Sequence, residues 1–345
     1  MSINYTRILE KARIKHKSIF LNMINANPDI YYTQHVFFRE KVFTLENYDS
    51  LFNNEGYILT TDNWYSEDKI YRPDQKEKIL ENFALFEKMY PKMHIILLHP
   101  VEEYITNWPG FDYIVFNRNA LLSPKDFFII EDSDKKYDTV YNACLYKYKN
   151  HNLLPLNFNT CLIFYIRTEN ITQVKYIDDK EKEYSLKLYD SLKKNPNIFM
   201  PNIINGKYSI LNRSVINSFY NKSKVGLLLS EVEGICITSM EYLLSGIPIV
   251  NVKNNGGRDR FLDSYNSITV NPDKKEIEAA VNEIIYSDYS SEKIRNRAIL
   301  EINKEFEILE EQLKIKIKEF KKIDFLSFRQ NLCNSLDKYV KDCFL

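Results

Sequence analysis

The chain has 345 residues, and its 47 Lys plus Arg balance 47 Asp plus Glu, which leaves a formal net charge of +0. That length suggests about two domains with a core large enough to need no disulfide or metal staple, and the neutral balance argues against a dedicated nucleic-acid binder, whose phosphate contacts leave a basic excess. A hydrophobic share of 44% excludes a disordered chain, and only 8 Gly exclude a collagenous one.

In chain order, the start MSINYTRILEKARIKHKSIFLNMINANPD is basic, but it has a short apolar part and no small-residue cleavage site, so it does not read as a signal peptide. No window approaches the ~18 uncharged apolar residues of a membrane span. Cys144, Cys161, Cys236, Cys333 and Cys343 are scattered and form no CxxC pair, which suits a reducing compartment and argues against structural zinc. A cytoplasmic protein is expected, with the inner face of the membrane as an allowed site.

Tyr57–Thr61 is a short strand candidate, and Pro73–Tyr90 carries Ile79, Leu80, Phe83, Leu85 and Phe86 as a helix with one wet face. Strands are expected at His94–Leu98 and Tyr113–Phe116, with Trp108-Pro109-Gly110 as punctuation between them. The acidic stretch Glu131–Lys136 reads as a linker, which gives an N-terminal domain over residues 1–134 and a second over 135–289.

In that second domain, strands are expected at Thr139–Asn142, Cys161–Ile166, Asn197–Met200, Val225–Leu229, Ile249–Val252 and Ser267–Val270. Helices are expected at Glu181–Lys194, Tyr208–Ser223, Ile235–Leu244 and from Asp273 to Ile285. Unbroken apolar strands alternating with helices are the pattern of a doubly wound α/β fold with parallel sheets. Gly246 sits where a left-handed helix cap would, with Pro248 just beyond it. From Ser290 onward, Ile294, Ala298, Ile299, Phe306, Leu309, Leu313, Ile315, Ile317 and Phe320 recur among Lys and Glu. Residues 290–345 are expected as helices packed on or across the domains. The mixed Glu and Lys of their polar face leave at most a peripheral membrane contact.

The segment Lys224–Asp259 concentrates the chemistry. A strand ends at Leu229, a turn with Gly234 feeds a helix, and the free N–H groups of a helix start can hold a phosphate. Glu233 stands at this turn, and Glu241 follows about two turns into the expected helix, where a carboxylate can chelate a diol. Asn254-Asn255-Gly256-Gly257-Arg258 follows the next strand, so backbone can approach a ligand there and Arg258 can add positive charge. A plain helix-start acid and a plain turn are the alternatives on composition alone.

This segment resembles the donor-binding signature EGxxxxxxEAxxxGxPVV of retaining glycosyltransferases of the GT-B fold, family 4 in particular. Here it reads Glu233-Gly234, then Glu241-Tyr242-Leu243-Leu244-Ser245-Gly246-Ile247-Pro248-Ile249-Val250, then Gly256-Gly257. The resemblance implies two Rossmann-like domains facing a cleft, a nucleotide-sugar donor, and a glycan or lipid-linked acceptor. It places Glu233 beside the transferred sugar and Glu241 on the ribose. It also places the backbone of Gly234 and Ile235, with the loop of Gly256, Gly257 and Arg258, near diphosphate and sugar.

Lys149 in Lys149-Asn150-His151 matches the family's phosphate-neutralising basic residue. Where a companion arginine is often found, this chain has Cys144 nearby and Lys147 in reach. On the N-terminal side, His99 after its strand matches a histidine that contacts the donor sugar, with Arg118 as the alternative. Thr60-Thr61-Asp62-Asn63-Trp64 offers an acceptor-side loop with Trp64 as a stacking platform. No HExxH, DxD or Cys/His cluster occurs, so no metal or other cofactor is implied, and the absence of GxxxxGK[ST] and GxGxxG weakens ATPase and dehydrogenase readings. An epimerase or inverting transferase of the same fold, or a non-catalytic binding subunit, are the alternatives.

Overall fold

The computed structural model describes residues 21–34, 43, 48–61, 73–101, 112–164 and 179–344. Asp62, Asn63, Trp64 and Trp108-Pro109-Gly110 lie outside the described residues. The chain divides into two compact units, one of Met1–Leu121 with Lys304–Leu345 and one of Leu122–Asn303. The first division therefore falls ahead of the acidic stretch. The reason is local, because residues 128–130 are tied to the second unit: the Phe128 and Ile130 N–H groups donate to Asn217 and Asn221, and Asn221 returns a bond to Phe128 O.

The first unit opens with β1 (Leu21–Ala26), β2 (Asp29–Gln34) and β3 (Gly56–Thr61), then helix α1 (Pro73–Met89), β4 (Met93–His99) and β5 (Asp112–Val115). Its sheet runs β1-β2-β3-β4-β5, with an antiparallel edge pair and parallel pairing from β2 onward. The Tyr and Phe of the composition fill its core. Phe52 meets Tyr31 at 5.5 Å, Phe86 at 5.7 Å and Tyr90 at 5.0 Å, mostly edge to face as ring quadrupoles prefer.

The second unit runs β6 (Tyr137–Asn142), β7 (Thr160–Ile163), α2 (Asp179–Leu192) and the two-residue strands β8 (Ile198–Phe199), β9 (Ile203–Ile204) and β10 (Lys207–Tyr208). Next come α3 (Arg213–Asn221), β11 (Ser223–Leu228), α4 (Ile237–Leu244), β12 (Ile249–Val252), β13 (Ser267–Val270), α5 (Lys274–Tyr286) and α6 (Ser291–Lys316), which continues into the first unit. Its main sheet is wholly parallel in the order β13-β12-β11-β6-β7-β8. The strand order therefore reverses between β6 and β11, the place where an open α/β sheet leaves a crevice at its carboxyl edge.

β7 and β12 are buried at every residue, as strands covered on both faces must be. Gly226 in β11 is required by packing, since a Cβ there would lie 2.5 Å from the Tyr242 ring. Gly246 ends α4 at φ +73, with Gly246 N–H on Leu243 O and Ile247 N–H on Tyr242 O, both 3.0 Å, which is a Schellman cap.

Along α6 the residues Ile294, Ala298, Ile302, Phe306, Leu309 and Leu313 are buried at helical spacing. Ile315 departs from the expected apolar set and stands 76% exposed. A last helix, α7 (Phe325–Phe344), joins the first unit, where Asn331 Nδ2 donates to Ile24 O at 3.0 Å.

Candidate active site

Most of the candidate residues collect beyond the carboxyl ends of β6, β11 and β12. After β6 the chain makes two short 3-10 turns, Lys147–Lys149 and His151–Leu153, joined by Asn150 at φ +50. The Asn150 side chain donates to Leu229 O at 3.2 Å and to Glu231 at 3.0 Å, which fixes this crossover against the loop that follows β11. Tyr141 holds it from below by donating to Lys149 O. Lys149 is thereby buried at 7% exposure, and its ammonium forms an ion pair with Glu233 Oε1.

Glu233 is itself buried, and Ser230 Oγ donates to its Oε2 at 2.5 Å. Burial works against the Glu233 carboxylate, but Lys149, Arg258 and the hydrogen bonds outweigh it and hold the carboxyl below its ordinary value. Burial likewise opposes the Lys149 charge, and Glu233 outweighs it, raising that amine well above its usual range. Both groups are ionic. Lys147 stands exposed in the same turn, and Cys144 is a buried thiol 3.6 Å from Tyr148 OH.

Arg258 was expected to offer charge to a ligand; its surroundings correct that reading. The guanidinium is 0% exposed and all five donors are used. Nε donates to Asp259 at 3.0 Å, Nη1 to Ser230 O at 2.5 Å and Ser230 Oγ at 2.9 Å, and Nη2 to Asn251 at 2.6 Å and Val252 O at 2.5 Å. Arg258 Nη1 lies 3.9 Å from Glu233 Oε2. It is a brace between the ends of β11 and β12, and through Ser230 it steadies Glu233.

Gly256 also serves the turn. At φ +146, its added Cβ would lie 2.4 Å from Glu233 O, so the close approach it permits is to the Glu233-Gly234 backbone. Asn255 N–H to Glu231 O at 2.8 Å and Asn254 Nδ2 to Glu233 O at 3.0 Å complete the join. Gly234, Ile235 and Gly257 are buried in the same loops.

Helix α4 begins at Ile237 rather than Ile235, with Cys236 as an N-cap that makes no side-chain cap bond. Glu241 is therefore one turn inside the helix; Ser239 N–H donates to Cys236 O at 3.1 Å, and the N–H groups of Ile237 and Thr238 have no intrahelical acceptor. Glu241 is half-buried and accepts from Tyr220 OH at 2.6 Å. Burial pushes its carboxyl up to about 6, against the lowering influence of Tyr220 and Arg213, while Asp126 adds to the rise. Tyr220 and Ser230 were not singled out from the sequence. The partner of Tyr220 lies 21 residues away in another helix and that of Ser230 three residues away in the same loop, and no periodic signal marks either.

His99 and Arg118 belong to the other unit. His99 ends β4, with Nδ1 2.8 Å from Val101 O, and burial lowers its imidazole to about 4. Arg118 opens a buried 3-10 turn, Arg118–Leu121. Among the described residues, no group of three or more His, Cys, Asp or Glu is gathered to hold a metal ion, and no helix is long and apolar enough to cross a membrane.

No curated protein matches the sequence. Among solved structures, the fold is similar to a glycosyltransferase from Rickettsia africae ESF-5, with 16% identity, TM-score 0.52 and coverage of 91% of this chain and 83% of that one. It is also similar to Anabaena Alr3699/HepE in complex with UDP, with 11% identity, TM-score 0.51 and coverage of 96% and 81%. The shared architecture is the α/β GT-B class, as the signature implied. The family described as glycosyl transferases group 1 matches residues 123–301, more than half of the chain and all of the Glu233 and Glu241 site, and this protein belongs to that family of transferases.

Proposed function

We propose that this chain moves a sugar from a nucleotide-sugar donor to a hydroxyl of a glycan or lipid-linked acceptor with retention of anomeric configuration, in the synthesis of a surface polysaccharide. The observation that carries the reading is the ionic Glu233, held by Lys149 and Ser230 at the point where the strand order reverses. The Anabaena neighbour's complexes with UDP and UDP-glucose support a nucleotide-sugar donor.

In this reading Glu241 takes the ribose diol, and the diphosphate lies over the start of α4. The bond from C1 to the diphosphate oxygen breaks with its electron pair leaving on the diphosphate. Lys149 and the N–H groups of Ile237 and Thr238 at the start of α4 meet that developing charge, and preorganised donors of this kind are worth ~3–4 kcal/mol each. The acceptor oxygen then bonds to C1 on the same face, and its proton passes to the departing diphosphate. Glu233 steadies the positive charge at the sugar or orients one of its hydroxyls. No bound ion is assigned a part.

The test is a thermal-shift screen of nucleotide sugars, since a ligand that binds only the folded state raises its Tm, followed by NMR of the product anomer. Stabilisation by one donor and a retained anomer support the reading. An inverted product, free sugar release, or binding without transfer to any acceptor points to an inverting enzyme, an epimerase or a binding subunit.

A further inference from the structure

We propose that Tyr220 is the positioning residue for Glu241: its hydroxyl claims one carboxylate oxygen and so presents the other to the vicinal diol of a ribonucleotide. The inference rests on the reading that Glu241 takes the donor's ribose, and it names what makes that side chain competent.

Tyr220 projects from α3, is 0% exposed, and is clamped by Tyr242 edge-on at 4.8 Å and by Phe127 at 5.9 Å. Its oxygen receives Asn142 Nδ2 at 2.5 Å and donates to Glu241 Oε2 at 2.6 Å. Asn142 ends β6, and its own N–H donates to Tyr242 OH at 2.9 Å. The end of β6, α3 and α4 are thus joined around one carboxylate.

Glu241 Oε1 accepts no hydrogen bond among the described residues. An untethered glutamate turns freely about its last torsion, which is broad and two-fold. With Oε2 pinned, Glu241 keeps one orientation and one free acceptor. The other groups around it are Tyr242 on α4 and the ion pair of Arg213 and Asp126. Burial, together with Glu241, raises the Tyr220 phenol well above its ordinary value, so it remains a donor across the working pH range.

The experiment measures, by calorimetry, the affinity of the full chain for UDP, GDP and ADP and for the 2′,3′-dideoxy form of each, from pH 5 to 8. Wild type should prefer the ribonucleotide, Glu241→Ala should abolish the preference, and affinity should fall below about pH 6 as Glu241 protonates. Tyr220→Phe, which keeps the ring, should lose about five- to tenfold of the preference, the scale of one hydrogen bond. It should also move the acid midpoint toward neutral pH, because a hydrogen bond that favours the carboxylate has gone.

Should Tyr220→Phe fail to fold, Asn142→Ala removes the bond that orients the phenol, and a smaller shift of preference and midpoint in the same direction is expected. No ribose preference in wild type would overturn the Glu241 reading itself. A preference that depends on Glu241 but is unmoved by Tyr220→Phe, with the midpoint unmoved, overturns only the role of Tyr220. So does an equal weakening of ribose and dideoxy ligands, the mark of a merely structural residue.

Discussion

Lys149 and Glu233 are each nearly closed to water, and for such a pair the cost of removing one partner exceeds the worth of the pair itself. Lys149→Ala should lower stability by about 3 kcal/mol, because Glu233 then keeps only Arg258, 3.9 Å away, as a cation. The double variant Lys149→Met with Glu233→Gln should regain most of that in urea unfolding. Lys147→Ala, at an exposed position, should change neither stability nor turnover appreciably; a larger effect there than at Lys149 would reverse the assignment. Glu241 behaves in the opposite sense to Glu233. Its folded pKa, about 6, lies above the unfolded value of 4.5, so folding favours the proton and stability is lost as pH rises from 4.5 to 6. Glu241→Gln, permanently neutral, should therefore stabilise the free protein at pH 7 by about 1–2 kcal/mol and leave it unchanged at pH 4. Donor affinity should fall in the same variant, and thermal melts with and without nucleotide measure both effects.

At the scale of elements, the loops after β11 and β12 act as one body, joined by Arg258, the 2.8 Å bond from Asn255 to Glu231 and the bare face of Gly256. Arg258→Lys keeps the charge but loses the planar fork that fills five acceptors. It should lower stability by about 2–4 kcal/mol, with several charged hydrogen bonds lost, and depress kcat through Ser230 and Glu233. A rise in donor KM alone, with stability intact, would instead return Arg258 to the ligand. The segment from β11 through β12 was legible in the sequence because its signals are local: an unbroken apolar run, a Gly246 cap, Pro248, and two glutamates in register. A basic residue after two glycines looks solvated in the sequence, whereas the burial of Arg258 depends on Ser230 and Asn251, which only the fold brings near. The β1-β2 hairpin has no clear signal in the sequence because Asn22 and Asn25 interrupt its apolar pattern. The helix expected at Tyr208–Ser223 is shorter in the structure, since Lys207 and Tyr208 pair as a strand and Asn212, accepting from Val215 N–H at 2.9 Å, caps the helix later.

Across the whole molecule, and among the described residues, each compact unit buries one histidine and holds it neutral. Burial lowers His99 to about 4, and burial with the Lys149 charge lowers His151 to about 3. These folded values lie below the unfolded 6.5, so unfolding takes up protons and stability falls as pH drops from 6.5 toward 4. The His151 ring packs against Tyr141, centroids 5.0 Å apart and tilted by 56°, and neither ring nitrogen has a partner among the described residues. Its share between pH 7 and 5 is about 2 kcal/mol, and His151→Phe should remove it, which urea unfolding at the two pH values will show. The proposed function gives the two glutamates different work, Glu233 at the sugar and Glu241 at the nucleoside. Interactions made only in the transition state lower kcat when lost, whereas uniform binding changes KM. Steady-state kinetics of Glu233→Gln and Glu241→Gln on the donor found by thermal shift separate the two. The account predicts a strongly reduced kcat with a nearly unchanged donor KM for Glu233→Gln, and mainly a raised donor KM for Glu241→Gln; near-normal kcat in Glu233→Gln would contradict it.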